Sequence, residues 1–234
     1  MCLIFVTSRP NFTHFNLSDM ANVTFLTFNP FQENTYIVYD ETGEGVIFDP
    51  GCSNEQEKNE LLHTLDKLKI KPVRLINTHC HIDHILGNKF VADHFNLPLE
   101  IHKGELGMLE KGAIVAARYG IPYTEPSPIA NTFLDEGDEV TFGNTVLKTI
   151  LTPGHSPASL SFYCEEDQFL IAGDVLFRES IGRTDLPGCD HKLLIESIRE
   201  KLFRLPENTV VWPGHGEFTT IGYEKKHNPF VGTN

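Results

Sequence analysis

The sequence lacks any long hydrophobic run. No stretch approaches the roughly 18 consecutive apolar residues of a membrane-spanning helix. The longest near the start, Leu3 to Val6, is too short for the core of a secretion signal and has no basic segment before it. Basic residues are scarce as well: 19 Lys and Arg stand against 32 Asp and Glu, a formal net charge of −13. That field repels nucleic-acid backbones and anionic lipid surfaces, so neither is an expected partner, and an anionic substrate needs a local basic patch. Cysteine is sparse and unpaired. Cys2, Cys52, Cys80, Cys164 and Cys189 show no disulfide spacing and read as reduced thiols of a cytoplasmic protein.

What remains is 40% hydrophobic and 22% charged, a composition that builds a core and gives no sign of disorder. A chain of 234 residues can form one sizeable domain. Residues 1–19 carry neither helical nor strand periodicity and read as a poorly ordered extension, which leaves residues 20–234 as the single domain.

From Val23 the pattern is strand-rich. Val23–Phe28, Thr35–Tyr39 and Val46–Phe48 are β-branched or aromatic runs separated by turn residues. A capping box at Ser53-x-x-Gln56 opens a helix with Leu61, Leu65 and Leu68 on one face, and Pro72 is expected to stop it. Val73–Asn77 then reads as a strand, Gly87–Phe95 as a helix and Leu99–His102 as a strand. Residues 103–131, broken by glycine and proline, read as a helical excursion and a lid. The second half repeats the grammar: strands at Val146–Leu151, Leu160–Cys164, Phe169–Ala172 and Thr209–Trp212, and a helix from about His191 to Arg204 capped by Asp190. Two similar halves predict two sheets packed face to face with helices outside, an α/β (αββα) architecture.

The chemistry is concentrated just after the apolar runs. Thr78-His79-Cys80-His81-Ile82-Asp83-His84 follows Val73–Asn77 and places four donors within six residues. Metal binding needs neutral imidazole and ionised carboxylate converging at about 2 Å. A turn leaving a strand end can aim His79 and His81 at one metal and Asp83 and His84 at a second. Three further donors share that address: Pro153-Gly154-His155, Gly173-Asp174 and Pro213-Gly214-His215 each end an apolar run. One histidine in such a place is ordinarily a hydrogen-bonded surface group, and one Gly-Asp a turn. Seven donors following strands in order point to a metal site, with glycines where backbone must approach closely. Cys80, between two ligands, points away from them in an extended segment and packs in the interior.

The set H-x-H-x-D-H, Pro-Gly-His155, Gly-Asp174 and Gly-His215 resembles the metallo-β-lactamase superfamily from about Val23 onwards. Within it, a ligand set with His84 and without cysteine resembles glyoxalase II, the hydroxyacylglutathione hydrolases. The resemblance implies two central mixed β-sheets flanked by helices. It implies two divalent metal ions, zinc first, with iron and manganese compatible with the same donors. His79, His81 and His155 would hold the first ion and Asp83, His84 and His215 the second, with Asp174 bridging. It also implies that Asp49, in Asp49-Pro50-Gly51, supports the ligand loop, a role weighed evenly against an ordinary turn. The implied reaction is hydrolysis of an S-acylglutathione thioester, such as S-D-lactoylglutathione, by a hydroxide shared between the metals, with Asp83 and Asp174 as its catalytic carboxylates.

Ile181-Gly182-Arg183-Thr184-Asp185 corresponds to the segment that supplies a cationic glutathione contact in that family, which nominates Arg183 for a substrate carboxylate. A surface ion pair is the alternative for Arg183. The match departs from glyoxalase II at Phe218, near where the family places a tyrosine. It departs again after His215, where the chain ends at Asn234 without the family's helical C-terminal domain; the ending resembles the short bacterial branch. A competing reading is a persulfide dioxygenase, with one iron on His79, His155 and Asp174. A non-catalytic binding protein on the same scaffold would not need the intact ligand set.

Overall fold

A computed structural model describes residues 20–232. The expectation of a poorly ordered segment at residues 1–19 lies outside the described residues.

The first sheet opens as an antiparallel meander, β1 (Asn22–Phe28), β2 (Glu33–Tyr39) and β3 (Glu44–Phe48). Helix α1 (Glu55–Leu68) carries the chain back to β4 (Lys71–Ile76), parallel to β3. Its start sits one residue later than expected: Asn54 Oδ1 accepts Glu57 N–H at 3.0 Å, and the Glu57 carboxylate accepts Ser53 N–H at 2.6 Å. Glu57 also accepts the Asn29 N–H at 2.9 Å, a link to the β1–β2 turn that favours this register. Nor does Pro72 stop the helix. Lys69 does so in the left-handed region, φ 57°, and Pro72 lies inside β4.

Two short helices, α2 (Ile82–Ile85) and α3 (Asn88–Phe95), precede β5 (Leu99–Ile101). The excursion at 103–131 contains a 3-10 turn at Lys103–Glu105, then α4 (Leu106–Leu109) and α5 (Gly112–Tyr119), before the edge strand β6 (Thr132–Phe133). The first sheet therefore runs β1-β2-β3-β4-β5-β6.

The second sheet begins with β7 (Glu139–Phe142), β8 (Thr145–Leu151), β9 (Leu160–Cys164) and β10 (Phe169–Gly173), each antiparallel to the next. A small hairpin, β11 (Leu176–Phe177) and β12 (Ser180–Ile181), and helix α6 (His191–Glu200) lead to β13 (Val210–Pro213), parallel to β10. Strand β14 (Thr219–Thr220) closes the edge, and α7 (Ile221–His227) follows.

Strand alternation sorts the side chains into layers. Tyr36, Val38, Phe48 and Ile76 face Leu147, Leu160, Phe162, Ile171 and Trp212 between the sheets, where Phe48 and Phe162 meet at 4.8 Å between ring centroids. Their sequence neighbours Ile37, Ile47 and Leu75 turn outward onto Leu61 and Leu65 of α1 and Val91 of α3. On the other side Leu170 and Val211 pack on Leu194 and Ile198 of α6. Each fully buried Leu, Ile or Phe contributes about 1.5–3 kcal/mol of transfer free energy, so three contiguous apolar layers hold the αββα stack together. No helix among the described residues is long and apolar enough to cross a membrane, and Cys52, Cys80, Cys164 and Cys189 are free.

Candidate metal centre

Strands β4, β8, β10 and β13 end at one rim, and the loops leaving them carry the nominated donors. Backbone bonds between and within the sheets fix that rim. Leu160 N–H donates to Thr78 O at 2.8 Å, Gly214 N–H to Gly173 O at 2.9 Å, and Asn34 N–H to Gly214 O at 2.8 Å. Glycine is required at 214 because a Cβ there would collide with Asp174 Oδ1 and sit 2.8 Å from His84 Cε1. At 154 the requirement has a different origin: φ is 131° and a Cβ would strike Leu194 of α6, so that glycine serves helix packing.

The structure brings all seven nominated donors together. Ligand atoms of His79, His81 and His155 lie within 4.8 Å of one another, and so do those of Asp83, His84 and His215. Asp174 lies between the groups, its Oδ2 3.4 Å from His155 Nε2 and 3.5 Å from His215 Nε2, and its Oδ1 3.5 Å from His84 Nε2. The outer ring nitrogens are already engaged. His155 Nδ1 is 2.8 Å from Arg183 O, His215 Nδ1 is 3.1 Å from Phe31 O, and His79 Nδ1 is 3.1 Å from Thr78 Oγ1. Those contacts orient each ring and leave Nε2 facing the centre. His79 Nε2, His84 Nε2 and Asp174 Oδ1 are buried without hydrogen-bond partners. Buried polar atoms are ordinarily satisfied, so orphaned imidazole and carboxylate atoms aimed at one point fit a cationic occupant.

The electrostatics agree with that fit. Burial, reinforced by His84 and His81, holds the His79 imidazole well below its usual range, and burial with His155 takes His81 down to about 3. Both are therefore neutral, the state ligation needs. Burial alone would raise Asp83 and Asp174, but His84 and the hydrogen bond from His215 outweigh it and keep both ionised. Conversely, those two carboxylates overcome burial and push His215 up to about 10. The carboxylates thus hold positive charge at the place where a cation would sit.

Asp49 also approaches His79 and His84. Its two oxygens accept Thr78 N–H and Thr78 Oγ1–H, each at 2.7 Å, and Oδ2 lies 3.2 Å from His84 Nδ1. That arrangement orients the ligand loop. Sequence reasoning missed two buried carboxylates nearby. Glu105, fully buried, accepts Cys80 N–H at 3.0 Å, Ser156 Oγ–H at 2.7 Å and Ala158 N–H at 2.7 Å, tying the His79–His84 loop to the His155 loop. Glu33, also fully buried, accepts Thr35 Oγ1–H at 2.9 Å, and burial pushes its carboxyl well up. No motif spacing marks either residue. Cys80 is buried in the apolar layer beneath the first sheet, and burial pushes its thiol well up.

A cavity of about 910 Å³ opens over the centre, reaching His81, Asp83, His155, Asp174 and His215 at its floor. Helix α5 and Met108 of α4 form one wall, so part of the 103–131 excursion does cover the site. Arg183 borders the cavity, but its guanidinium is paired with Asp185 at 2.7 and 2.8 Å.

Residues 28–215 match the model of the metallo-beta-lactamase superfamily. The chain belongs to the metallo-beta-lactamase superfamily. Within that superfamily it is 35% identical over 204 residues to a probable metallo-hydrolase, YqgX, of Bacillus subtilis, covering 86% of this chain and 93% of that one. It is 31% identical over 211 residues to the hydroxyacylglutathione hydrolase GloC of Haemophilus influenzae, covering 90% and 98%. Among solved structures, the BLEG-1 B3 metallo-beta-lactamase superposes with a TM-score of 0.81 at 39% identity, covering 91% of this chain and all of that one. TTHA1623 in a di-iron-bound form gives 0.80 at 36%, covering 89% and 100%. ETHE1 from Myxococcus xanthus gives 0.72 at 26%, covering 91% and 86%. Superfamily membership and the metallo-hydrolase relatives make this a hydrolase fold with His and Asp groups able to hold metal.

Proposed function

We propose that this protein is a dinuclear metal-dependent thioesterase that hydrolyses S-acylglutathione-type thioesters. The observation that carries the reading is the meeting of two ligand triads around Asp174, whose carboxylate lies 3.4–3.5 Å from His155, His84 and His215. His79, His81 and His155 would hold one divalent ion, Asp83, His84 and His215 the other, and Asp174 both. Zinc is the first choice of metal, while the di-iron form of TTHA1623 is that protein's own.

A bound metal pair supplies a nucleophile by lowering the pKa of water from 15.7 to about 7, and a Lewis acid for the carbonyl oxygen. The chain's residues do the rest. Asp83, kept ionised beside His215, presents a carboxylate edge at the cavity floor that can orient the attacking water. Phe31, Met108 and Phe177 wall the cavity and limit bulk water at the scissile bond. Oxygen adds to the thioester carbon, the C–S bond breaks, and the thiolate leaves. A thiol of pKa about 8.5 departs without a general acid.

The resemblance to GloC supports a glutathione-derived substrate, and the absence of cysteine from the ligand set is consistent with it. A mononuclear dioxygenase would use His79, His155 and Asp174 alone. The second triad supports the hydrolase over that alternative. The test is a substrate panel of S-D-lactoylglutathione, acetyl-coenzyme A and a penicillin, with oxygen uptake recorded on glutathione persulfide. Thioester turnover is the expected result; oxygen uptake or β-lactam turnover in its place would refute the reading.

A further inference from the structure

Arg183 is not the only cation at the cavity. Lys111, which caps the start of α5, and Arg118 within α5 also line it. They stand with Val115 at i, i+4 and i+7, one face of the helix, about 10 Å apart along its axis at 1.5 Å per residue. Both are exposed, and neither side chain makes an ion pair or hydrogen bond among the described residues. Arg183 differs, since Asp185 occupies two of its donors.

The adjoining face of α5 is fixed. Gly112 and Ala116 are buried, and a Cβ at Gly112 would lie 3.1 Å from Ile85 of α2, the helix that carries Asp83 and His84. The far end is held by the Tyr119 ring, edge-on to Phe31 at 5.5 Å, and Phe31 O in turn lies 3.1 Å from His215 Nδ1. Packing on α2 and on the β1–β2 turn beside His215 therefore holds the cationic face over the reactive centre. In a chain of net charge −13, two unpaired cations on the wall of one cavity form the local basic patch that an anionic substrate requires.

We infer that the Lys111–Val115–Arg118 face of α5 is the subsite that binds the anionic tail of the thioester, with Lys111 and Arg118 each taking one of its anionic groups. This rests on the thioesterase reading. The ligand chemistry is a thiol bearing two separated anions: the carboxylates of a peptide such as glutathione, or the phosphates of a pantetheine nucleotide. Val115 and Met108 provide the apolar surface between the charged contacts and the scissile bond.

The experiment compares wild type with the double variant Lys111→Glu, Arg118→Glu on three substrates: S-D-lactoylglutathione, acetyl-coenzyme A and an uncharged N-acetylcysteamine thioester. The ratio of kcat/KM on an anionic thioester to that on the uncharged one is expected to fall at least about tenfold, the scale of losing charge-assisted hydrogen bonds. A fall confined to lactoylglutathione assigns carboxylates, and one confined to acetyl-coenzyme A assigns phosphates. The wild-type KM for the anionic substrate should also rise with salt, and the variant's should not. An unchanged ratio overturns the subsite. Calorimetry with the non-hydrolysable S-methylglutathione separates the two readings. Wild type that binds it, with binding lost in the variant, but that cleaves no thioester would sink the thioesterase and keep a peptide-carboxylate subsite. Equal binding by both proteins, together with an unchanged ratio, would sink the subsite alone.

Discussion

Asp83 Oδ2 lies 3.1 Å from His215 Nε2, and that contact joins the ligand loop of the first sheet to the last ligand loop of the second. The centre therefore exists only where the two sheets dock. A hydrolase site built across a sheet-to-sheet interface depends on the intervening core as much as on the donors themselves.

Asp174 lies within 3.5 Å of members of both triads. Asp174→Ala should abolish thioester hydrolysis and lower metal content for both positions together, measured by elemental analysis of the purified variant. A variant with normal metal content and activity would remove the shared role.

Glu105 accepts three hydrogen bonds while fully buried. Glu105→Ala leaves the Cys80 and Ala158 N–H groups unsatisfied, at about 1–3 kcal/mol per buried group, and leaves the Ser156 hydroxyl with Ser159 Oγ alone. Thermal melting of the metal-free protein should show a drop of several degrees. An unchanged melting temperature would mean that the strut is not structural.

How far the sequence announced these features depends on how each is encoded. Unbroken apolar runs made the central strands legible, because Leu75 and Ile76, or Val211 and Trp212, serve opposite faces of one sheet and both faces are buried. The edge strands Thr132–Phe133 and Thr219–Thr220 were not, since two residues carry no period. Helix Ile221–His227 was also unmarked, its cap Thr220 preceding an unremarkable polar run. Ser53 and Asn54 are both competent caps, and only the long-range bond from Asn29 to Glu57 distinguishes them. The donors His79 to His215 stood out by motif. Glu105 and the Lys111–Arg118 face depend on tertiary placement that no local pattern encodes.

Asp185 engages two guanidinium donors of Arg183 at the cavity edge. Asp185→Asn frees them, and KM for lactoylglutathione should fall while that for an uncharged thioester stays constant. The same KM for lactoylglutathione in variant and wild type would take Arg183 out of substrate binding.

Asp40 ties the β2–β3 turn to the β7–β8 hairpin, accepting Thr42 N–H at 3.0 Å, Asn144 N–H at 2.6 Å and Thr145 Oγ1–H at 3.1 Å. Burial raises its pKa, but the hydrogen bond from the Thr42 hydroxyl, together with these three, outweighs it and holds the carboxyl below its usual value. A depressed folded-state pKa stabilises the protein above the unfolded value, about 3.9, and that contribution is lost as pH falls through the folded one. Urea unfolding should therefore show wild type more stable than Asp40→Asn at pH 7, with the gap closing below about pH 4. A gap independent of pH would contradict the assignment.

Thioester hydrolysis as proposed requires two metal ions held together by this chain. Metal quantification of the purified protein, titrated against lactoylglutathione turnover after chelation, tests it most directly. Two ions per chain, with activity lost on removal and restored on reloading, is the expected result. A single tightly held iron accompanied by thiol-dependent oxygen uptake would contradict the account.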